Sequence, residues 1–240
     1  MSAISKAGRD VGMFALESDM AKAAAHWLEG ADMVVKSEFV TPWGICDLVG
    51  LKFNQDRVNY RLKLRQTKAV SSIIRAALLL QIPDIETRKS VLLERLVRKC
   101  APSIPAEVVE GETARLIADR FVVSTARGRL QKVNGWMPIH ERLVAVELKL
   151  SRIEEAMHQA MNNLGFADES YVALPAVVAR RVASNPSRWS EFFDAGVGLL
   201  SVSRHRCDVL MQPHKAAGWP DPAIQLYCAE KFWRTRAKGN

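Results

Sequence analysis

A chain of 240 residues that is 48% apolar, 25% charged and only 7% aromatic has an ordinary soluble globular composition, with material for a sizeable core. Cys46, Cys100, Cys207 and Cys228 form no Cys-x-x-Cys pair, which argues against a structural zinc site. No apolar run reaches the length of a membrane span, and the polar start "MSAISKAGRDVG" lacks the apolar run of a signal peptide, so a cytoplasmic protein with reduced thiols and no membrane partner is expected.

The first predicted element is a helix over residues 14–29, with Gly30 as its stop. Met20, Ala21, Ala24, Trp27 and Leu28 fall on one side at helical spacing, and Glu17 lies in line with that apolar stripe. A strand over 32–40, a turn at Thr41–Gly44 and a strand over 45–53 read as a hairpin, and a third strand is expected to follow at 58–64, "VNYRLKL". Residues 66–140 break this pattern. They predict helices near 68–80, 84–99 and 105–119, then a basic hairpin turning near Ala126-Arg127-Gly128, an order that resembles a winged helix. The core resumes with a strand over 143–150 and a helix over 152–164 closed by Gly165. "SYVALP" is a further strand, 176–194 is mainly helical, "GVGLLSV" is a buried strand, and "CDVLMQP" is an edge strand stopped by Pro213. A final helix carries Pro222 in its first turn. The expected organisation is an α/β core with a mixed central sheet flanked by helices, formed by residues 1–65 and 141–240, and an inserted, mainly helical basic subdomain at 66–140.

The formal net charge of +8 is not spread evenly. Residues 54–140 hold 16 Lys and Arg against 8 Asp and Glu, while the remainder holds 18 of each. A localised basic block suits a polyanion such as nucleic acid, against the plainer reading of a solvated helical surface.

Four acids stand out: Glu17, Glu38, Asp47 and Glu147. Asp47 sits between Ile45-Cys46 and Leu48-Val49 in an otherwise apolar strand. Glu147 ends another apolar run, and Lys149 shares its strand face, because side chains alternate along a strand. Ionised groups at the end of a buried strand are costly unless they pair or bind something. If the two strands are neighbours, both carboxylates converge at one sheet end, and the helix carrying Glu17 can pack over it. Oxygen ligands there suit Mg2+ or Mn2+, and Lys149 can then hold the attacking water or contact a phosphate. The alternative is a structural ion network. Glu38, nine residues before Asp47 across the hairpin, supports the site from a second layer or is simply exposed.

Asp47 within "GICDLVG", then "VELKL" with Glu147-x-Lys149, then "HQA" at 158–160, resembles the PD-(D/E)XK nuclease superfamily, which includes restriction endonucleases and Holliday junction resolvases. The resemblance covers roughly residues 14–53 and 143–203, with Cys46 in place of the proline of the family motif. It implies a restriction endonuclease-like fold in which Asp47 and Glu147 bind the metal, Lys149 assists the water, Glu17 adds a ligand and Gln159 orients the site. Nucleases of this family often pair to cut both strands, so a homodimer is an expectation, although no interface patch stands out.

On the insert, Arg127, Arg129 and Lys132 lie on the predicted hairpin, and Arg88, Lys89, Arg95, Arg98 and Lys99 on one predicted helix. Arg152 lies two helical turns before Gln159 on the same line. Such cations give affinity for phosphates without reading sequence. Trp136 beside the ribbon either stacks on a base or anchors the core. The expected function is Mg2+-dependent hydrolysis of DNA phosphodiester bonds by an endodeoxyribonuclease whose basic insert binds the duplex. The alternatives are a catalytically silent DNA-binding protein on the same fold, or a protein-interaction module.

Overall fold

The computed structural model describes residues 14–125, 127–133, 138–215 and 220–238. Trp136 and Ala126, both singled out above, lie outside them. In chain order the elements are α1 (Ser18–Glu29), β1 (Val34–Thr41), β2 (Gly44–Phe53), α2 (Gln55–Lys63), α3 (Ile73–Gln81), β3 (Val91–Leu92), α4 (Leu93–Cys100), α5 (Ala106–Ala118), β4 (Val122–Ser124), β5 (Arg129–Lys132), β6 (His140–Leu148), α6 (Ile153–Asn163), β7 (Glu169–Pro175), α7 (Ala176–Ala183), α8 (Ser190–Asp194), β8 (Val197–Val202), β9 (Cys207–Met211) and α9 (Pro222–Glu230). They form two compact units. One runs up to Lys52 and from Arg142 to Asp221; the other takes Phe53–Glu141 and the chain from Pro222 onward. The second unit is therefore larger than the predicted insert, because it also holds α2 and the final helix.

The first unit is built on a six-stranded mixed sheet of order β1-β2-β6-β7-β8-β9. β1 and β2 are an antiparallel hairpin, β6, β7 and β8 run parallel, and β9 returns antiparallel along the edge. Parallel strands need a crossover, and α6 and α7 supply the two between β6 and β8. Alternation sorts the side chains. Val144, Val146 and Leu148 of β6 face Met20, Ala24 and Leu28 of α1 in one apolar cluster. Val172 and Leu174 of β7 pack on the opposite face against Ala156, Met157 and Ala160 of α6 and Ala179 and Val182 of α7. The result is an α/β fold with helices on both faces of a mixed sheet. Gly198 permits one close approach: a Cβ there would stand 2.6 Å from the ring of Tyr171.

The second unit has its own core, centred on Leu78, Leu79, Leu96, Leu116 and Phe121. Its small sheet has the order β3-β5-β4, with α3 before it and α4 and α5 between β3 and β4. The predicted third strand at 58–64 is corrected to helix α2. Asn54 caps it by accepting a hydrogen bond from the Arg57 amide at 3.0 Å, and Val58 and Arg61 are buried three residues apart, a helical rather than strand spacing. The predicted helix over 84–99 is also broken. Ile85–Thr87 forms a single 3-10 turn, Arg88 takes a left-handed φ of 56°, and Val91 and Leu92 pair with β5 before α4 begins. Arg61 is fully buried between the rings of Phe121 and Trp233 and pairs with Glu230, which also accepts from the Val70 amide at 2.8 Å.

No helix among the described residues is long and apolar enough to cross a membrane. The four cysteines are free thiols.

Candidate metal and catalytic site

Four of the side chains singled out by sequence, Asp47, Glu147, Lys149 and Glu17, lie around the end of β6 in the first unit. β2 and β6 are neighbours in the sheet, so Asp47 and Glu147 stand on adjacent strands. Asp47 Oδ2 accepts a hydrogen bond from the backbone amide of Leu148 at 2.7 Å, which pins its carboxyl beside the residue following Glu147. The two carboxyls are close enough for Asp47 to disfavour ionisation of Glu147.

Glu147 is 2% exposed. Burial pushes its carboxyl from an ordinary 4.5 up to about 7; a hydrogen bond from Asn163 opposes the rise, and the charge of Asp47 adds to it. Asn163 Nδ2 donates to Glu147 Oε1 at 2.6 Å and lies 3.4 Å from Cys46 Sγ. Burial, then the neighbouring Glu147, raises the Cys46 thiol well above its usual range. The thiol points at the Leu48 and Val146 carbonyls, at 3.3 and 3.7 Å, and packs as a neutral group.

Lys149 is also buried. Its Nζ lies 3.5 Å from Glu17 Oε2, while Glu17 Oε1 accepts from the Leu150 amide at 3.3 Å. Glu17 occupies the N-cap position of α1 but makes no side-chain cap bond there, which leaves its carboxylate to hold Lys149 and the loop after β6. Glu17, expected as a third ligand, is here engaged with Lys149 and the Leu150 amide. Among the described residues no group of three or more His, Cys, Asp or Glu side chains is arranged to hold a metal.

A small cavity of about 90 Å3 opens beside Glu147, lined also by Gln159, Asn162, Asn163, Thr41 and Trp43. It has room for several waters at roughly 30 Å3 each. Gln159 Oε1 is buried with no hydrogen-bond partner among the described residues. An acceptor left without a donor costs about 1–3 kcal/mol and is met by water or by a cation. Glu147 and Gln159 line this cavity and Asp47 stands beside Glu147 on the neighbouring strand, so the acidic and amide groups here offer oxygen donors. That set fits Mg2+, which commonly uses one or two carboxylates and keeps several waters. Trp43 closes the cavity from the β1–β2 turn. It packs on Phe166 with ring centroids 6.2 Å apart and presses on Gly165, where a Cβ would meet its ring at 2.8 Å.

Glu38 stands opposite Asp47 in the hairpin, where the pairing lapses between Ser37↔Leu48 and Phe39↔Cys46. It holds φ 47° and is exposed. No hydrogen bond joins it to the site among the described residues. Arg152 is exposed and paired with Glu155 at 2.8 Å. It lines a wider cleft of about 730 Å3 together with Arg181 and Arg188. On the second unit Arg127 and Arg129 are exposed, but Lys132 is corrected: it is 5% exposed and its Nζ lies 3.4 Å from Asp84 Oδ1, so it serves that unit's interior.

Asn163 and Cys46 were missed as site residues by sequence reasoning. Asn163 is one helical turn after Gln159 on the same face of α6, a spacing that carried the signal. Nothing in the sequence marked Arg181 and Arg188.

No family model matches this chain, and no curated protein matches it. A solved protein of unknown function from Silicibacter pomeroyi is similar at 14% identity, with 94% of this chain and 90% of that chain covered and a TM-score of 0.41.

Proposed function

We propose that the chain is a Mg2+- or Mn2+-dependent nuclease that hydrolyses DNA phosphodiester bonds on a restriction endonuclease-like sheet. The reading rests on one observation above all: Asp47, held by the Leu148 amide, stands beside Glu147 on the neighbouring strand, with Lys149 two residues further on. Asp47 and Glu147 would hold the ion, and Gln159, whose amide oxygen lacks a partner among the described residues, lines the same cavity as Glu147. A bound divalent ion at such a site supplies a water of lowered pKa and neutralises charge on the phosphate. The Lys149 ammonium, held by Glu17, orients the attacking water or a non-bridging phosphate oxygen. Asn163 fixes the Glu147 carboxyl by donating to Oε1. The winged-helix-like order of the second unit, with its excess of cations, is the DNA-holding part.

The test is cleavage of supercoiled plasmid, four-way junction and single-stranded DNA with Mg2+, Mn2+ or chelator. Metal-dependent cutting that is lost in Asp47→Ala supports the reading. Metal-independent cutting, or cutting that survives Asp47→Ala, would overturn it. A second reading, a DNA-binding protein without chemistry, is favoured by the pairing of Lys149 with Glu17 and by the absence of a three-carboxylate group among the described residues. It expects binding without cutting by either metal.

A further inference from the structure

The second unit carries a cleft of about 580 Å3 whose charged lining is entirely cationic: Arg88, Lys89, Arg95, Lys99 and Arg129, with Ser90 among them. Three separate pieces of chain bring these groups together. Arg88 and Lys89 lead into β3; Arg95 and Lys99 lie one turn apart on the exposed side of α4; Arg129 opens β5, opposite Leu92 of β3. Arg129 Nη1 donates to Ser90 Oγ at 3.2 Å, and Gln131 Nε2 donates to the Lys89 carbonyl at 2.9 Å, so strand pairing and side-chain bonds both fix the cleft's shape.

None of the five cations is ion-paired among the described residues. This contrasts with Arg75, Arg115 and Lys132 of the same unit, each of which has a carboxylate. Like charges one helical turn apart are unfavourable, and Arg88 sits in the left-handed region that long side chains avoid. Five unpaired cations gathered in one concavity form a standing field for an anion.

α5, the longest helix of this unit among the described residues, has a surface of opposite charge. α5 exposes Glu107 and Glu110, and its one basic residue, Arg115, is taken up by Glu112 at 2.7 Å. A helix with that surface repels phosphate.

Resting on the nucleic-acid reading above, we infer that the cleft between α4 and the β3–β5 pair takes the phosphodiester backbone of a DNA strand, and that α5 stays off the nucleic acid. Binding on this face is independent of sequence, because its contacts are to phosphates and not to base edges.

The experiment is anisotropy of a labelled duplex, in chelator, across a salt series, with the full chain. Arg95→Gln/Lys99→Gln and Arg88→Gln/Lys89→Gln change exposed residues only. Each is expected to reduce the slope of log affinity against log salt by about two, at roughly 0.9 per phosphate contact, and to weaken binding about tenfold at low salt. Glu107→Gln/Glu110→Gln on α5 is expected to leave the slope unchanged. Wild-type slopes in both cleft variants would overturn the inference while leaving the nuclease reading standing. So would equal affinity for polyglutamate, which would mark an acidic protein partner. Cleft-dependent binding with no cutting by any metal would overturn the nuclease reading and leave this inference intact.

Discussion

Asn163 donates its amide to Glu147 Oε1 at 2.6 Å, joining the helix after β6 to a carboxyl buried at the end of that strand. The bond suits either protonation state of the acid, because an N–H donor pairs with a carboxylate or with the carbonyl oxygen of a carboxylic acid.

That burial gives stability a pH dependence of known sign. The folded protein keeps the Glu147 proton up to about pH 7, whereas the unfolded chain releases it near 4.5. A raised carboxyl pKa means that this group's stabilising contribution is present below the unfolded value and is lost as pH rises through the folded one. In chelator, wild-type stability is expected to fall relative to Glu147→Gln between about pH 4.5 and 7, by roughly 3 kcal/mol at most, at 1.36 kcal/mol per pKa unit. Urea unfolding of both proteins across that range checks it. A difference that does not change with pH contradicts the assignment.

Glu17 and Lys149 yield separable kinetic effects under the nuclease reading. Lys149→Ala is expected to lower kcat about 10²–10³-fold, the usual weight of one preorganised donor aimed at charge that develops in the transition state. Glu17→Gln is expected to lower kcat more mildly and to leave the Mg2+ concentration for half-maximal rate unchanged, because Glu17 holds Lys149 and the Leu150 amide. A large rise in the metal requirement of Glu17→Gln would make it a ligand after all.

Gly165 is where Trp43 reaches over the cavity, with only 2.8 Å between the indole and an added Cβ. Gly165→Ala is expected to displace the ring and destabilise the fold by about 1–3 kcal/mol. Adding Trp43→Ala should relieve the part of that cost due to the indole, while the 3.0 Å approach to the Asn162 carbonyl remains, and a double-mutant cycle by chemical denaturation measures the coupling. Strict additivity would show that the two do not press on each other.

Arg61 and Glu230 are both fully buried and bonded to each other. Arg61→Ala leaves an uncompensated carboxylate in the second unit and is expected to cost about 3–5 kcal/mol. Arg61→Met with Glu230→Leu removes both charges and should recover much of it. Thermal unfolding of the single and double variants checks this.

The sheet and the two carboxylates were legible because burial wrote them plainly. An acid inside "ICDLVG" and another at the end of "VAVE" break apolar runs that have no other reason to be broken, and β2 and β6 do place them side by side. Helix α2 was misread for the opposite reason. Its buried face is carried partly by Arg61, a charged residue that no hydrophobic pattern counts as core. Lys132 misled in the same way: it looks like one more surface cation of a basic ribbon, and only its contact with Asp84 reveals it as interior. The partition of the tail was not legible at all, since nothing in "AIQLYCAE" says which core it joins.

That partition bears on how the chain matures. The polypeptide passes between the two units three times, near Lys52, Glu141 and Asp221, so each unit is assembled from separated stretches. During synthesis on a ribosome, the first unit stays without its edge strand until β9 emerges, and the second holds an orphaned arginine until Glu230 follows, 169 residues after Arg61. Nascent chains paused before that point should be readily digested by proteases, and truncating the chain after Cys228, which removes Glu230, should cripple a region that begins more than a hundred positions upstream.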